Sequence, residues 1–508
     1  MSSWILLPVF LPVLSGICLL AASFRMHLAQ VRGETGSGFL MWALDRKKLH
    51  TFVMAILGIT AVLALAAAWT GEHSVTLFYL MKDVPVYFHI DGIGRLFVSI
   101  VTLVWVLAGL YSLAYMEHEG EETGYFGFYL IVYGVLVALD FSGNLVTMYF
   151  FYELMTICSV PLVLHNGSRE ARMAALKYLF YSMCGAYLGL FGIFFLYKYC
   201  GTLAFTAGGS LNLSLMQGNE GILLIAVFCM LIGFGAKAGM FPLHAWLPAA
   251  HPVAPSPASA VLSGIIVKSG VLAVVRVVYY IVGAEFLRGT WVQNAWLVLT
   301  LLTVFMGSMM AYREPVMKKR LAYSTVSQVS YIMFGLALLS PDGMTGALLH
   351  TVFHAVIKSA LFLTAGVFLY MGGRTRVDQL RGIGKEMPVT IWCYTIVSLG
   401  LIGIPPMSGF ISKWYLASGA LNSGTGVFEW FGPAVLLVSA LLTAGYLLPV
   451  TLNGFFPGED FDVAEVVKKE PPRVMLVPLV IFAALTVILG VMPNGLIGYI
   501  GQIVSALV

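Results

Sequence analysis

The chain has 508 residues, of which 59% are hydrophobic and 10% charged, with a formal net charge of +4. A soluble domain carries roughly 25% charged residues, so the composition excludes a soluble enzyme and identifies an integral membrane protein; no nucleic-acid partner is expected. The six cysteines (Cys18, Cys158, Cys184, Cys200, Cys229 and Cys393) lie within or at the ends of apolar stretches with no C-x-x-C pair, and read as small core residues. No iron-sulfur, haem-attachment or zinc pattern is present, so no cofactor or metal is expected in this chain, and any redox chemistry falls to partner subunits.

A helix needs about 20 mainly apolar residues to cross the hydrocarbon, and fourteen stretches qualify: 4–24, 50–69, 95–116, 124–141, 143–164, 171–199, 221–250, 256–284, 291–311, 319–339, 343–371, 388–420, 430–455 and 473–496. The first, "WILLPVFLPVLSGICLLAASF", has its first basic residue, Arg25, after it. That order is the reverse of a secretory signal and predicts a retained helix with its N-terminus outside. The expected fold is all-α, with helices 1–3 and a periplasmic connection in residues 1–123. Two five-helix units follow in 124–284 and 291–455, and a loop with a last helix in 456–508.

Fourteen helices require loops that alternate sides, with lysine and arginine collecting on the cytoplasmic one. Eighteen basic residues fall on one side: Arg25, Arg32, Arg46, Lys47, Lys48, Arg169, Arg172, Arg313, Lys318, Lys319, Arg320, Arg374, Arg376, Arg381, Lys385, Lys468, Lys469 and Arg473. Four (Lys82, Arg95, Lys198 and Arg288) fall on the other. Both termini are therefore expected on the non-cytoplasmic side of a bacterial or archaeal inner membrane. Six basic residues remain inside helices: Lys177, Lys237, Lys268, Arg276, Lys358 and Lys413. Among the acids only Glu153, in "MYFFYELMTICSVP", reads as deep within a segment. Arg276 and Lys177 stand near helix ends, where a long side chain can snorkel to the interface. A charged residue at a helix centre costs about 2.5 to 3.5 kcal/mol on insertion scales, so Lys237, Lys268, Lys413 and Glu153 point to function.

Pro242 interrupts the seventh helix after Lys237, near His244 and His251, and Pro405 and Pro406 interrupt the twelfth before Lys413. Proline frees a helix carbonyl, which at membrane depth requires protein or trapped water to satisfy it. "GMFPLHAWL" and "GIPPMSGFI" look like counterparts, each in the fourth helix of a run of five. Helices 4–8 and 9–13 then form two repeats, and an odd helix number inverts the second. In "HTVFHAVIKSALF", His350, His354 and Lys358 are four residues apart and share one helix face. Zinc and core hydrogen bonding compete with a proton relay here; the absence of a nearby third ligand and the titration range of histidine favour the relay.

"FFYELM", "AKAGMFPLHAWLPAAHPVAPSPASAVLSGIIVKSG", "RLAYSTVSQVSYI", "HTVFHAVIKSALFLTAG" and "GIPPMSGFISKWYL" together resemble the antiporter-like membrane subunits of respiratory complex I, Mrp-type sodium/proton antiporters and membrane-bound hydrogenases. The resemblance spans roughly residues 90–420. It implies fourteen helices with inverted repeats, Glu153 and Lys237 as a switching pair, Lys268 as a central lysine, and His350, His354 and Lys358 as relay residues. Lys413 would be the terminal lysine, where some members carry glutamate. The short stretch after the last helix resembles one of the shorter complex I subunits or an Mrp- or hydrogenase-type relative. The implied partners are the bilayer and other membrane subunits, and the implied cargo is protons or sodium ions. Separating Glu153 from Lys237 would leave a desolvated lysine without its partner and drive its proton onward. The expected function is proton translocation in a respiratory or hydrogenase-like complex; an Mrp-type antiporter subunit is the alternative.

Overall fold

The computed structural model describes residues 3–32, 45–82, 84–459, 461–462 and 466–508; the side chain of Arg32, counted above among the basic loop residues, lies outside the described residues, as does that of Leu213. The chain is nearly all helical. In order, α1 is Leu7–Arg32, α2 Arg46–Trp69, α3 Gly92–Glu119, α4 Glu122–Asp140, α5 Leu145–Leu164, α6 Arg169–Tyr199, α7 Glu220–Ala238 and α8 Leu247–Val253. Then follow α9 Ser256–Val282, α10 Trp291–Arg313, α11 Met317–Ala337, α12 Pro341–Gly372, α13 Pro388–Ile402, α14 Ser408–Leu421, α15 Phe428–Phe455, α16 Arg473–Val491 and α17 Asn494–Ser505. Many starts are set locally: the side chains of Asp45, Asp91, Asn144, Ser168, Thr290 and Ser340 each accept a bond from a first-turn backbone N–H, which satisfies donors the helix itself cannot.

Among the described residues twelve helices are long and apolar enough to cross a membrane. The other two predicted segments differ in kind. α11 has 21 residues but is more polar than a lipid-facing crossing, because Ser324, Thr325, Ser327, Gln328 and Ser330 are buried against protein rather than lipid. The segment 388–420 is divided into α13 and α14, of 15 and 14 residues. The all-α expectation needs one correction. The connection between α2 and α3 is an antiparallel hairpin, β1 Ser74–Met81 and β2 Val84–His89, in which β2 alternates buried Val84, Val86 and Phe88 with half-buried residues, the period of a one-sided strand.

The loops gather at two ends. At one, Arg46 pairs with Glu117 and Glu122, His165 bonds Gly120 O, Asn166 bonds Val253 O, Lys318 bonds Ala254 O and Val316 pairs with Arg376. Lys469 N there bonds Glu386 O. All the strongly basic loops thus share that end. At the other, the hairpin bonds residues 141–143, residues 203–205 bond residues 143–145, and residues 206–210 bond residues 279–281. Two residues counted as loop charges are not free: Lys318 and Arg320 are each 9% exposed, and Arg320 donates to Glu314 O and Tyr446 O. Of the six cysteines only Cys200 and Cys393 are buried, and Cys18 faces outward.

α9 and α12 form the centre; the most apolar stretch of α9 is wholly enclosed by protein and that of α12 nearly so. α9 is interrupted by π-helical turns at Leu262–Ile266 and Arg276–Val282, an irregularity common at functional sites.

Candidate functional site: a buried file of lysines and histidines

The two broken helices end for a reason the prolines do not supply. α7 stops at Gly239 (φ 77°), with Gly239 N–H bonded to Ala236 O and Met240 N–H to Gly235 O, a left-handed C-terminal cap. α13 stops at Gly403 (φ 92°), whose N–H bonds Leu399 O. Pro242 and Pro405 with Pro406 lie two or three residues further on, where they prevent the helix from resuming. The three prolines face outward.

Each break brings a lysine to a helix C-terminus, where unpaired carbonyls and the negative end of the helix dipole favour a cation. Lys237 lies in the last turn of α7, fully buried, and donates to Thr156 Oγ1 (2.6 Å), Ser182 Oγ (3.2 Å) and Tyr178 OH (3.3 Å). Its ammonium also stands over the Tyr178 and Tyr152 rings at 4.9 and 5.4 Å. Lys413, half-buried in α14, donates to Leu401 O (2.7 Å) and Ile402 O (2.8 Å), the last carbonyls of α13.

Glu153 and Lys237 are not in ion-pair contact. The glutamate is half-buried, with Oε1 enclosed and lacking a hydrogen-bond partner, so this structure holds the pair apart. Lys268 sits just beyond the first π-turn of α9, donates to Ser263 O (2.6 Å) and shares a hydrogen bond with His354 Nδ1 (2.6 Å). The His354 and His350 rings are 5.9 Å apart. His350 Nδ1 is 2.9 Å from Ser412 Oγ, its Nε2 is 3.2 Å from Gln328 Oε1, and its ring stacks on Tyr331 at 5.6 Å. Tyr331 in turn lies 5.2 Å from the Lys413 ammonium. Lys268, His354, His350 and Lys413 therefore lie in order along one buried file, with Ser412 and Tyr331 as its unpredicted members; His354 Nε2 has no hydrogen-bond partner, so the file is interrupted between the two histidines.

The remaining candidates stand beside the file. Lys358, buried one turn along α12 from His354, donates to Leu321 O (3.0 Å). His251 is fully buried, stacked on Phe362 at 4.5 Å, with neither ring nitrogen partnered. His244 is half-buried beside Phe241. Among the described residues no group of His, Cys, Asp or Glu could hold a metal ion.

Two placements correct the sequence reading. Arg276 does not snorkel: it is 2% exposed and makes a two-pronged bond to Asp91, Nη1 to Oδ2 at 2.5 Å and Nη2 to Oδ1 at 2.8 Å, between the Phe205 and Tyr280 rings. Glu153 is not the only enclosed acid, since Asp140 at the end of α4 is 2% exposed. Lys177, by contrast, is exposed on the outer face of α6.

A bundle of membrane helices, two of them broken and each break occupied by a lysine, defines the class: a multi-pass membrane protein built around buried ionisable groups. Residues 142–450 match the family described as NADH:quinone oxidoreductase/Mrp antiporter, TM, and residues 81–126 the one described as NADH-Ubiquinone oxidoreductase (complex I), chain 5 N-terminus. The chain belongs to this family of antiporter-like membrane subunits. It is 31% identical to NADH-quinone oxidoreductase subunit N of Desulforudis audaxviator, over 81% of this chain and 83% of that one. It is 27% identical to a Na(+)/H(+) antiporter subunit of Bacillus subtilis, over 100% and 97%. Similar folds occur in the archaeal membrane-bound sulfane sulfur reductase (TM-score 0.81, 21% identity, 100% of this chain and 98% of that one) and in the Mrp complex of Dietzia (0.81, 22%, 100% and 98%). A third is respiratory complex I of Thermus thermophilus (0.77, 22%, 99% and 100%).

Proposed function

We propose that the chain carries protons through Lys237, Lys268, His354, His350 and Lys413 as one subunit of a multisubunit membrane complex, driven by redox chemistry in partner chains. The observation that carries this reading is the 2.6 Å contact between Lys268 Nζ and His354 Nδ1; the His350 ring stands 5.9 Å beyond His354 and bonds Ser412 Oγ at 2.9 Å, and a shift that brings His350 or a water to the unpartnered His354 Nε2 would complete the path toward Lys413. An ammonium donating to Nδ1 fixes the neutral histidine with its proton on Nε2. The ring can then accept at one nitrogen and release from the other, which is how an imidazole relays a proton. Glu153 would set the charge state of Lys237 by approaching or leaving it, and partner subunits would supply the energy by biasing that movement. The two broken helices, each with its glycine stop, proline and lysine, support two inverted five-helix repeats within fourteen crossings, with the basic end cytoplasmic and both termini opposite.

A subunit of an Mrp-type sodium/proton antiporter is the second reading, favoured by the full-length similarity to the Bacillus subtilis antiporter protein and the equal likeness to the Dietzia complex. One experiment separates them. The assembled complex, purified and reconstituted, is assayed side by side for quinone reduction, hydrogen evolution and sodium/proton exchange, with and without Lys268→Ala. Under the first reading the substitution slows electron transfer together with proton translocation; under the second it abolishes only cation-dependent exchange. Undiminished proton movement in every assay refutes both.

A further inference from the structure

We infer that Ser263 and Thr325 are positioning residues for Lys268, acting through a hydroxyl–hydroxyl bond that ties the first wide turn of α9 to α11. This inference rests on the proposed role of Lys268. In an α-helix the N–H of Val267 would bond Ser263 O, four residues back. The π-turn at Leu262–Ile266 sends it to Leu262 O instead, and Ser263 O, released from that bond, accepts from Lys268 Nζ at 2.6 Å. A long side chain on a helix leans toward the N-terminus, which is how Lys268 reaches a carbonyl one turn earlier. The place of its ammonium beside His354 therefore depends on where this turn holds the Ser263 carbonyl.

The side chain of the same residue fixes that place. Ser263 Oγ lies 2.7 Å from Thr325 Oγ1 on α11, and both residues are fully buried. Thr325 Oγ1 also bonds Leu321 O at 2.9 Å, the carbonyl that receives Lys358 Nζ at 3.0 Å. A hydroxyl has one proton to give, so with Thr325 donating to Leu321 O, Ser263 donates to Thr325. Lys268 and Lys358 thus hang from two carbonyls joined by one hydroxyl pair. On its other side the turn meets α12, where a Cβ on Gly264 would collide with Ser359 Oγ and approach Ala355 O at 3.3 Å. The wide turn is held between α11 and α12, the helices that carry Thr325 and His354. Thr351, Thr364 and Thr486, also buried, each bond a carbonyl four residues back in their own helix, a local way of satisfying a hydroxyl. Ser263 instead reaches across helices, at the one residue whose carbonyl holds the central lysine.

The test uses the whole complex in proteoliposomes, with rates taken at matched amounts of assembled protein. Thr325→Val and Ser263→Ala are each expected to slow proton translocation about threefold or more, the rate equivalent of one hydrogen bond between membrane helices. Thr325→Ser, which keeps the hydroxyl, should restore most of the rate. The double variant should be no slower than the worse single one, because either change alone removes the same bond. Thr395→Val supplies the control. Thr395 Oγ1 bonds Ile391 O at 2.8 Å and Thr451 Oγ1 at 3.0 Å, a similar arrangement with no lysine bonded to Ile391 O among the described residues, and its loss should leave translocation at the wild-type rate. If Thr325→Val fails to assemble, Ser263→Ala, which removes a single oxygen, decides the matter. Wild-type rates in Ser263→Ala or Thr325→Val with Lys268→Ala inactive, additive losses in the double variant, or equal slowing by Thr395→Val overturn the positioning role and leave the proposed function standing. Wild-type rates in Lys268→Ala overturn the function itself.

Discussion

Removing the Arg276 guanidinium should destabilise the folded protein by about 3 to 4 kcal/mol. Breaking a buried ion pair from one side costs about 3 to 5 kcal/mol, because the other charge is left without its partner. The 20% exposure of Asp91 places this case near the lower bound, since water recovers part of the cost. The two flanking rings at 4.3 and 4.6 Å add about 0.5 to 1 kcal/mol each, partly returned by the packing of a methionine stem in Arg276→Met. Asp91→Asn isolates the charge, because asparagine still caps α3 through Gly94 N–H. The double variant should be more stable than the sum of the single losses by about 1 to 3 kcal/mol. Burial would raise the Asp91 carboxyl, but the guanidinium outweighs it and holds the group below the usual carboxylate range. Its contribution is therefore full above the unfolded carboxylate range, about pH 4, and disappears as pH falls through the folded value. Thermal unfolding of the purified protein, followed for the wild type and the three variants from neutral to acid pH, measures all of this. Unchanged midpoints in Arg276→Met, or strictly additive losses in the double variant, would refute the pair and restore the snorkelling arginine.

Glu153→Gln and Lys237→Met should each reduce ion translocation in inverted vesicles by tenfold or more with assembly intact; wild-type pumping by either removes that residue from the path. Gly403→Ala should cost about 1 to 2 kcal/mol for the left-handed backbone and displace Lys413, whose Cδ would lie 2.9 Å from the new Cβ. Its translocation loss should exceed that of Gly201→Ala, which meets nothing within 4 Å. Reporter fusions after Lys48 and Arg381 should read cytoplasm and fusions at both termini the opposite side, while a cytoplasmic C-terminus breaks the alternation.

The membrane class, the two breaks and the lysines at them were legible because the bilayer makes charge and proline conspicuous: a lysine in "GFGAKAGMFPL" has few structural excuses. The cause of the breaks was less visible. Glycine and proline stand side by side in both motifs, and only the backbone angles separate the residue that stops the helix from the one that keeps it stopped. Arg276 was misread because sequence places it near a helix end but cannot reveal Asp91, 185 residues away, waiting there. α11 looked like an ordinary crossing, although its serines, threonines and glutamine are the signature of a helix surrounded by protein. The file itself joins α9, α11, α12 and α14, and no spacing rule relates His350 to Ser412 or Lys268 to His354.

The surroundings of the two break lysines differ from those of Arg276 in a way that bears on mechanism. Arg276 is clamped by a carboxylate and cannot give up its proton. Lys413 donates to two backbone carbonyls, and a neutral amine keeps two N–H groups for those same acceptors, so losing a proton strands neither carbonyl. The hydroxyls around Lys237 donate or accept equally well and can turn to meet an amine lone pair. Both sites thus hold either charge state without leaving a buried polar group unpaired, the condition a proton carrier must meet where no water is at hand. The consequence is specific to Lys413. Lys413→Arg should assemble, because a guanidinium can still donate to Leu401 O and Ile402 O, but its fixed charge should abolish translocation. Lys413→Met should lose both, leaving the α13 carbonyls without donors. Translocation at the wild-type rate by Lys413→Arg, measured in vesicles containing matched amounts of assembled complex, would mean that the charge at the second break never changes and that the file ends before it.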